Sequence, residues 1–531
     1  MVSGEQRSGA VGQLAGHVVA IQGATVTGLL LDHSVVGPAA VVIGDLVAMP
    51  TGAGRAYGVV HGLRRGRREE DRPAVEIQLL GELRERHGRP VFRRGVSAYP
   101  ALDAAILRAT RGETRLVYAQ PELASVQVGH LRHDEGLPAY LATDALLGKN
   151  LAILGSTGSG KSCAVTVVLG ALLDAYTSAH LLVIDPHNEY ATALGERALR
   201  LDPSNLELPY WLLTFEEIAT VLTSGGDRRG YAEGAILRDA IVRAKLLYLG
   251  PAADTAHITV DTPVPYRLAD LARVIEDGMG TLNKPEGAAA YRHLLSRLAS
   301  VREDRRYGFM FQSFYLRDNL DAILGRLLRL PVEGQPATVL DISGVPSEVV
   351  NVVVSLLCRL IFEFALWSER EHALPILLVC EEAHRYVPAD GAPTFEPTRR
   401  AIDRIAKEGR KYGVSLCLVS QRPSELSTSS LAQCGTIMAL RMSNERDQQF
   451  VRNALPDGFD WLIGALPALA TGEAVVVGEG VTVPMQIQFR SLAPERQPAS
   501  QTPAFSRAWA QETLDRGFVD RTIKRWRLQQ R

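Results

Sequence analysis

Two textures of apolar patterning divide the chain. Over residues 17–128 the apolar runs are short, rich in β-branched residues and broken by glycine. Runs at 17–21, 40–47, 57–63 and 75–80 are separated by Gly, Pro and Asp clusters at strand-like spacing. This pattern predicts a small β-barrel, drawn over residues 1–130. From about Gly148 apolar runs alternate with longer helical patterns, which indicates βα units around a parallel sheet. Residues 150–154, 181–184, 339–342, 376–379, 415–419 and 436–441 read as buried strands of an α/β core occupying 131–208 and 332–490. Between Pro209 and Pro331 the strand signal fades. Segments 231–247 and 288–300 carry apolar residues at helical spacing, so 209–331 reads as a helical insertion. The tail, 491–531, opens with Pro494, Pro498 and Pro503 as an extended linker. It closes on a short helix ending Ile523-Lys524-Arg525-Trp526-Arg527.

Composition adds little to this division. At 531 residues the chain exceeds one hydrophobic core, and 46% hydrophobic with 22% charged residues is an ordinary globular balance. Lys plus Arg (58) nearly cancels Asp plus Glu (59), so any nucleic-acid surface has to be local. Residues 501–531 hold seven Lys or Arg against three Asp or Glu, a local charge of +4 that suits either an acidic neighbour or solvent. In Arg64-Arg65-Gly66-Arg67-Arg68 the charge is answered at once by Glu69, Glu70 and Asp71, which favours a solvated hairpin tip over a DNA contact. The five cysteines, Cys163, Cys358, Cys380, Cys417 and Cys434, have no C-x-x-C spacing and read as core packing in a reducing compartment. With no signal-peptide pattern and no uninterrupted apolar stretch of membrane-spanning length, a cytoplasmic protein without a membrane partner is expected.

The chemistry sits in the second texture. Gly155-Ser156-Thr157-Gly158-Ser159-Gly160-Lys161-Ser162 satisfies the phosphate-loop pattern, with an apolar strand before it and an apolar helix from Cys163 after it. Glycines let backbone N–H groups converge on phosphate oxygens, and the helix N-terminus adds positive potential. Lys161 reaches the β and γ phosphates of ATP, and the Ser162 hydroxyl is a Mg²⁺ ligand. Hydrolysis further needs a water-orienting group and a metal holder. The run 376–380 ends in Glu381 and Glu382, assigned respectively to metal coordination through water and to polarising the attacking water. Glu381 is one methylene longer than the Asp usual at that position. Asp185, at the end of another apolar run, is expected to support the metal or the water. Gln421, after the run 415–419, is a candidate γ-phosphate sensor, with a hydrogen-bonded turn as the plainer reading.

Taken together, these residues resemble the HerA branch of the HerA-FtsK superfamily, RecA-like P-loop DNA translocases. The resemblance rests on Gly95-Val96-Ser97-Ala98-Tyr99-Pro100, the phosphate loop, the segment 185–190, Leu208-Pro209-Tyr210-Trp211 and Glu381-Glu382-Ala383-His384. It continues through residues 407–413, 420–423 and 441–447. It implies a RecA-like ATPase core and a homo-hexamer with ATP sites at subunit interfaces. It also implies an N-terminal barrel that docks a NurA-type nuclease, and work on double-stranded DNA ends in recombination repair. A neighbouring subunit would supply positive charge to the γ-phosphate, with Lys149, Lys407 and Arg410 as candidates. Two of these are Lys where the family often has Arg, and Asn188 replaces a usual Gly. The loop 386–400 with Arg399 and Arg400, and the cluster at 302–306, are candidate DNA contacts. An antiviral defence complex or a membrane-linked pump are the alternative settings for the same motor.

Overall fold

Alternating small, β-branched and polar residues build the N-terminal strands: β1 (Leu14–Gln22), β2 (Thr25–Leu30), β3 (Leu46–Thr51), β4 (Gly54–Arg64), β5 (Ala74–Arg86), β6 (Arg89–Arg94) and β7 (Ala105–Arg108). The computed structural model describes residues 12–528 apart from 32–39, 53, 66–71, 87–88, 225–227, 281–287, 313–316, 346, 370, 372, 393–394, 456–458, 499–505, 507–508 and 511–515. The chain divides into two compact units, Met1–Ala175 with Cys417–Ser491, and Tyr176–Leu416 with Leu492–Arg531.

In the first unit the strand order β2-β1-β7-β3-β4-β5 closes on itself through β2 and β5, with β6 added on β5. Closure removes the exposed edges that an open sheet would present. One face of each strand fills the interior, where Val18, Val26, Val47, Met49, Val60, Val75, Ile77 and Ile106 pack together. The apolar run at 40–47 becomes strand only from Leu46. Gly44 turns at φ +98 and the Val42 N–H bonds to the Asp45 carboxylate at 3.1 Å, which breaks the extended backbone there. The basic hairpin tip at 66–71 lies outside the described residues.

The barrel strands end at Arg108, and β8 (Ser125–Leu131) and β9 (Asp134–Ala142) pair as a hairpin in a second sheet of the same unit. The boundary drawn at residue 130 therefore falls inside β8. After β9 the chain enters β10 (Leu151–Leu154) and the helix Lys161–Ala175. In the second unit β11 (Leu181–Asp185), β12 (Ala198–Leu201), β13 (Ala337–Asp341) and β14 (Ile376–Cys380) lie in the order β12-β13-β11-β14, all parallel. The chain returns with β15 (Val414–Ser420), β16 (Thr436–Leu440), β17 (Glu473–Gly478) and β18 (Met485–Phe489). In the first unit β10 pairs in parallel with Cys417–Ser420 of β15 and with β16, and antiparallel strands β17, β18, β8 and β9 follow. All residues of β10, β11, β13, β14 and β16 are buried, as continuous apolar runs in parallel sheets require.

The insertion is helical as expected, with helices Phe215–Leu222, Arg228–Leu249, Leu268–Gly280, Ala288–Glu303 and Leu320–Leu328. Two buried charges fix it. Glu217 accepts from Ser355 Oγ at 2.7 Å and Arg359 Nη2 at 3.2 Å. Lys245 donates to the carbonyls of Val260 and Thr262, both at 2.6 Å, and burial lowers its pKa to about 8. Among the described residues one helix, Val349–Trp367, is long and apolar enough to cross a membrane, and 67% of that stretch is buried inside the fold. The basic C-terminal segment forms the helix Arg516–Leu528. Cys358, Cys380 and Cys417 pack in the core as expected, whereas Cys163 is exposed, because it sits in the first turn of the helix that follows the phosphate loop.

Candidate functional site

Leu154 of β10 stands in register with Ser420 of β15 and Ala439 of β16. The chain leaving β10 therefore emerges between Gln421 and Arg441, at the carboxyl edge where ligands bind in parallel α/β sheets. The loop from Gly155 to Ser162 turns there into Lys161–Ala175, whose apolar residues are buried almost throughout, so its N-terminus is held in place. Gly158 and Gly160 take φ +76 and +91, and a Cβ on Gly160 would stand 2.9 Å from the Gly472 nitrogen, so no larger residue fits.

The loop is pinned through its acceptors. The Ser156 carbonyl accepts from Ser159 N at 3.1 Å and the Ser159 carbonyl from Gly472 N at 2.9 Å. The Gly158 carbonyl accepts from Arg441 Nη2 at 3.0 Å and Thr471 Oγ1 at 3.4 Å. Ser156 Oγ donates to the Arg441 carbonyl at 2.8 Å, and Thr157 Oγ1 donates to Gln421 Oε1 at 2.6 Å. Lone pairs that would repel a phosphate are thus engaged by protein donors. The helix N-terminus, the buried Lys161 and the half-buried Ser162 supply positive potential and donors at the same turn. This donor set fits a polyphosphate.

The second unit holds the carboxylates. Ile184 of β11 and Cys380 of β14 are in register, so Asp185 and Glu381 leave adjacent strand ends. Asp185 is fully buried: Oδ1 accepts from His187 N at 3.1 Å, and Oδ2 from Glu189 N at 2.8 Å and Tyr190 N at 2.9 Å. Burial pushes its pKa up to about 6, against those N–H bonds and with help from the nearby Glu381 charge. Its oxygens are engaged by the backbone, so Asp185 contributes by folding the turn 186–190. Asn188 occupies that turn at φ +56, a left-handed position that Asn tolerates in place of Gly.

The same turn delivers Tyr190, fully buried, whose hydroxyl donates to Glu381 Oε2 at 2.6 Å. Glu382 follows with φ +53, a left-handed backbone that costs a non-glycine residue about 1–3 kcal/mol and is retained mainly at functional sites. Its carboxylate is almost fully buried, 3.2 Å from His384 Nδ1 and 3.8 Å from His187 Nε2.

Among the charge donors, Lys149 is ion-paired to Glu479 of its own chain. Lys407 and Arg410 are exposed at the end of the helix Glu396–Glu408 and in the turn Gly409–Tyr412. Of the DNA-contact candidates, Arg399 is paired with Asp390 at 2.6 Å and Arg400 with Glu216 at 3.3 Å, and Arg306 is locked on Asp304 at 2.7 Å. Sequence reasoning gave no role to Tyr190, His187, His384 or Arg441. The available signal was position: each follows an apolar strand within a few residues.

Residues 126–361 match the model of the central domain of the helicase HerA. Over that stretch, a little under half its length, the chain is similar to the HerA family. A probable helicase of Methanocaldococcus jannaschii is 27% identical over 419 residues, 77% of this chain and 74% of that protein. The DNA double-strand break repair helicase HerA of Pyrococcus furiosus is 24% identical over 465 residues, covering 79% and 78% of the two chains. Among solved structures, VirB4 of Thermoanaerobacter pseudethanolicus shares the fold, with a TM-score of 0.50 at 15% identity over 71% of this chain and 98% of that one. The architecture is thus a RecA-like P-loop ATPase core with a helical insertion and an N-terminal β-barrel. The HerA match spans the phosphate loop and the Asp185 turn, while Glu381 and Glu382 lie beyond it in sequence.

Two results are expected from these contacts. Arg441→Ala frees the Gly158 carbonyl and should raise the KM for ATP about tenfold, the worth of one charged hydrogen bond, with a smaller change in kcat; a steady-state titration of ATP reads both. Tyr190→Phe removes the hydroxyl from Glu381; the expectation that Glu381 coordinates Mg²⁺ predicts that the Mg²⁺ dependence of turnover moves to several-fold higher concentration. An unchanged Mg²⁺ titration would dissociate Tyr190 from that role.

Proposed function

We propose that the chain is an ATP-hydrolysing motor that moves along double-stranded DNA as a cytoplasmic homo-hexamer, working with a NurA-type nuclease in resection of DNA ends. The observation that carries the motor reading is the phosphate loop itself, whose carbonyls are tied back to Arg441, Thr471 and Gly472 while its donors remain at the helix N-terminus. The similarity to DNA double-strand break repair helicases supports DNA as the track. Gly155 to Cys163 hold the phosphates, with Lys161 on the terminal ones. Ser162 and Glu381 are the residues that would hold Mg²⁺, which would offset phosphate charge. Glu382 takes the proton of the attacking water. Gln421, bonded to Thr157 of the loop, senses whether the terminal phosphate is present.

Lys407 and Arg410 are the stronger candidates for the charge supplied to a neighbouring subunit, because Lys149 would first have to leave Glu479. Electron microscopy of the purified protein with a non-hydrolysable ATP analogue and duplex DNA tests the assembly. A six-membered ring with density through its centre is expected, and a monomer under all nucleotide conditions would remove the ring from the proposal.

A further inference from the structure

The helical insertion carries an open groove of about 1300 Å³, larger than the roughly 300–1000 Å³ of a small-molecule pocket. Its floor is rigid. Tyr210 stacks on Phe311 with centroids 5.6 Å apart and packs edge-on against Tyr266 at 5.2 Å, while its hydroxyl donates to the Tyr266 carbonyl. These rings are almost fully buried and leave no face for a base to stack on.

The rim is cationic. Arg267, Arg302 and Arg317 face one carboxylate, Glu207, with Gln312 and Asn319 as the amides. Gln312 Nε2 donates to the Arg302 carbonyl at 3.2 Å and so fixes the end of the helix that bears Arg302. Among the described residues, the guanidinium groups of Arg267 and Arg302 have no hydrogen-bond or ion-pair partner, and both side chains are exposed. Of the other arginines considered for DNA contact, Arg399 is paired with Asp390, Arg400 with Glu216 and Arg306 with Asp304.

We infer that this groove, through Arg267, Arg302 and Arg317, holds the phosphate backbone of duplex DNA. Guanidinium groups match phosphate bidentately, and a wide acid-poor groove whose floor rings Tyr210 and Phe311 are buried grips the backbone without reading sequence. The inference rests on the motor reading for its choice of polyanion.

The test is fluorescence anisotropy of a labelled mixed-sequence duplex bound to the full chain with a non-hydrolysable ATP analogue, repeated across salt concentrations. Each Arg→Gln change is expected to lower the slope of log affinity against log salt by about one, and the triple variant by about three. Glu207→Gln should tighten binding, a gain that misfolding does not produce. A thermal melt confirms the fold of each variant, and if the triple variant is unstable the single variants decide. A wild-type slope retained in folded Arg→Gln variants, or no duplex binding by the wild type, would overturn the groove. Loss of ATP hydrolysis in the wild type, measured without DNA, would instead remove the motor reading, so the two failures are distinguishable.

Discussion

Glu382→Gln is expected to abolish turnover while leaving ATP bound. The substitution keeps size and shape, so the left-handed turn at φ +53 and the approach of His384 at 3.2 Å survive. What is lost is the basicity of one oxygen. General-base catalysis contributes roughly 10²–10⁴-fold, so kcat should fall by that amount, with ATP affinity changed less than about threefold because a base acts mainly in the transition state. Equilibrium binding of a fluorescent ATP analogue beside single-turnover phosphate release separates the two effects. Turnover near the wild-type level in Glu382→Gln would remove Glu382 from the assigned role.

Lys161→Ala is expected to impair both steps. Lys161 is only 9% exposed, at the first turn of a buried helix. A preorganised donor acting on developing charge is worth about 10²–10³-fold in kcat, and the same ammonium also stabilises ground-state phosphates, so affinity falls as well. Lys161→Arg should restore little, because a planar fork cannot reproduce a point charge in a loop fixed by Gly158 and Gly160. Binding retained in Glu382→Gln and lost in Lys161→Ala is the pattern that assigns the first residue to chemistry and the second to both steps.

How much of this was legible in the sequence follows from how local each feature is. The phosphate loop is eight contiguous residues between an apolar strand and an apolar helix, and both neighbours formed where the pattern placed them. The strands bearing Asp185 and Glu381 were equally plain, because buried parallel strands are continuous apolar runs. Their register was not. The bond from Tyr190 to Glu381 joins residues 191 apart, and it exists only because Ile184 pairs with Cys380. The role of Arg441 likewise depends on β16 lying beside β10, which places its guanidinium on Gly158, 283 residues away.

Strands β8, β9 and β18 escaped notice for a different reason. Antiparallel strands with one less buried face show short alternation that is hard to distinguish from a loop. The four-residue β12 and β7 are too short to carry any period. Among the basic clusters, sequence could not separate Arg302 from Arg399 and Arg400, because the carboxylates that answer the latter pair include Glu216, far away in the chain. Ion pairing, and hence the availability of a cation, is decided by tertiary structure.

The most direct measurement is steady-state phosphate release by the purified wild-type chain, with and without Mg²⁺ and duplex DNA. Saturable, Mg²⁺-dependent release that DNA accelerates and that Lys161→Ala removes is expected. An absence of release under every condition, including with a partner nuclease and DNA supplied, would contradict it.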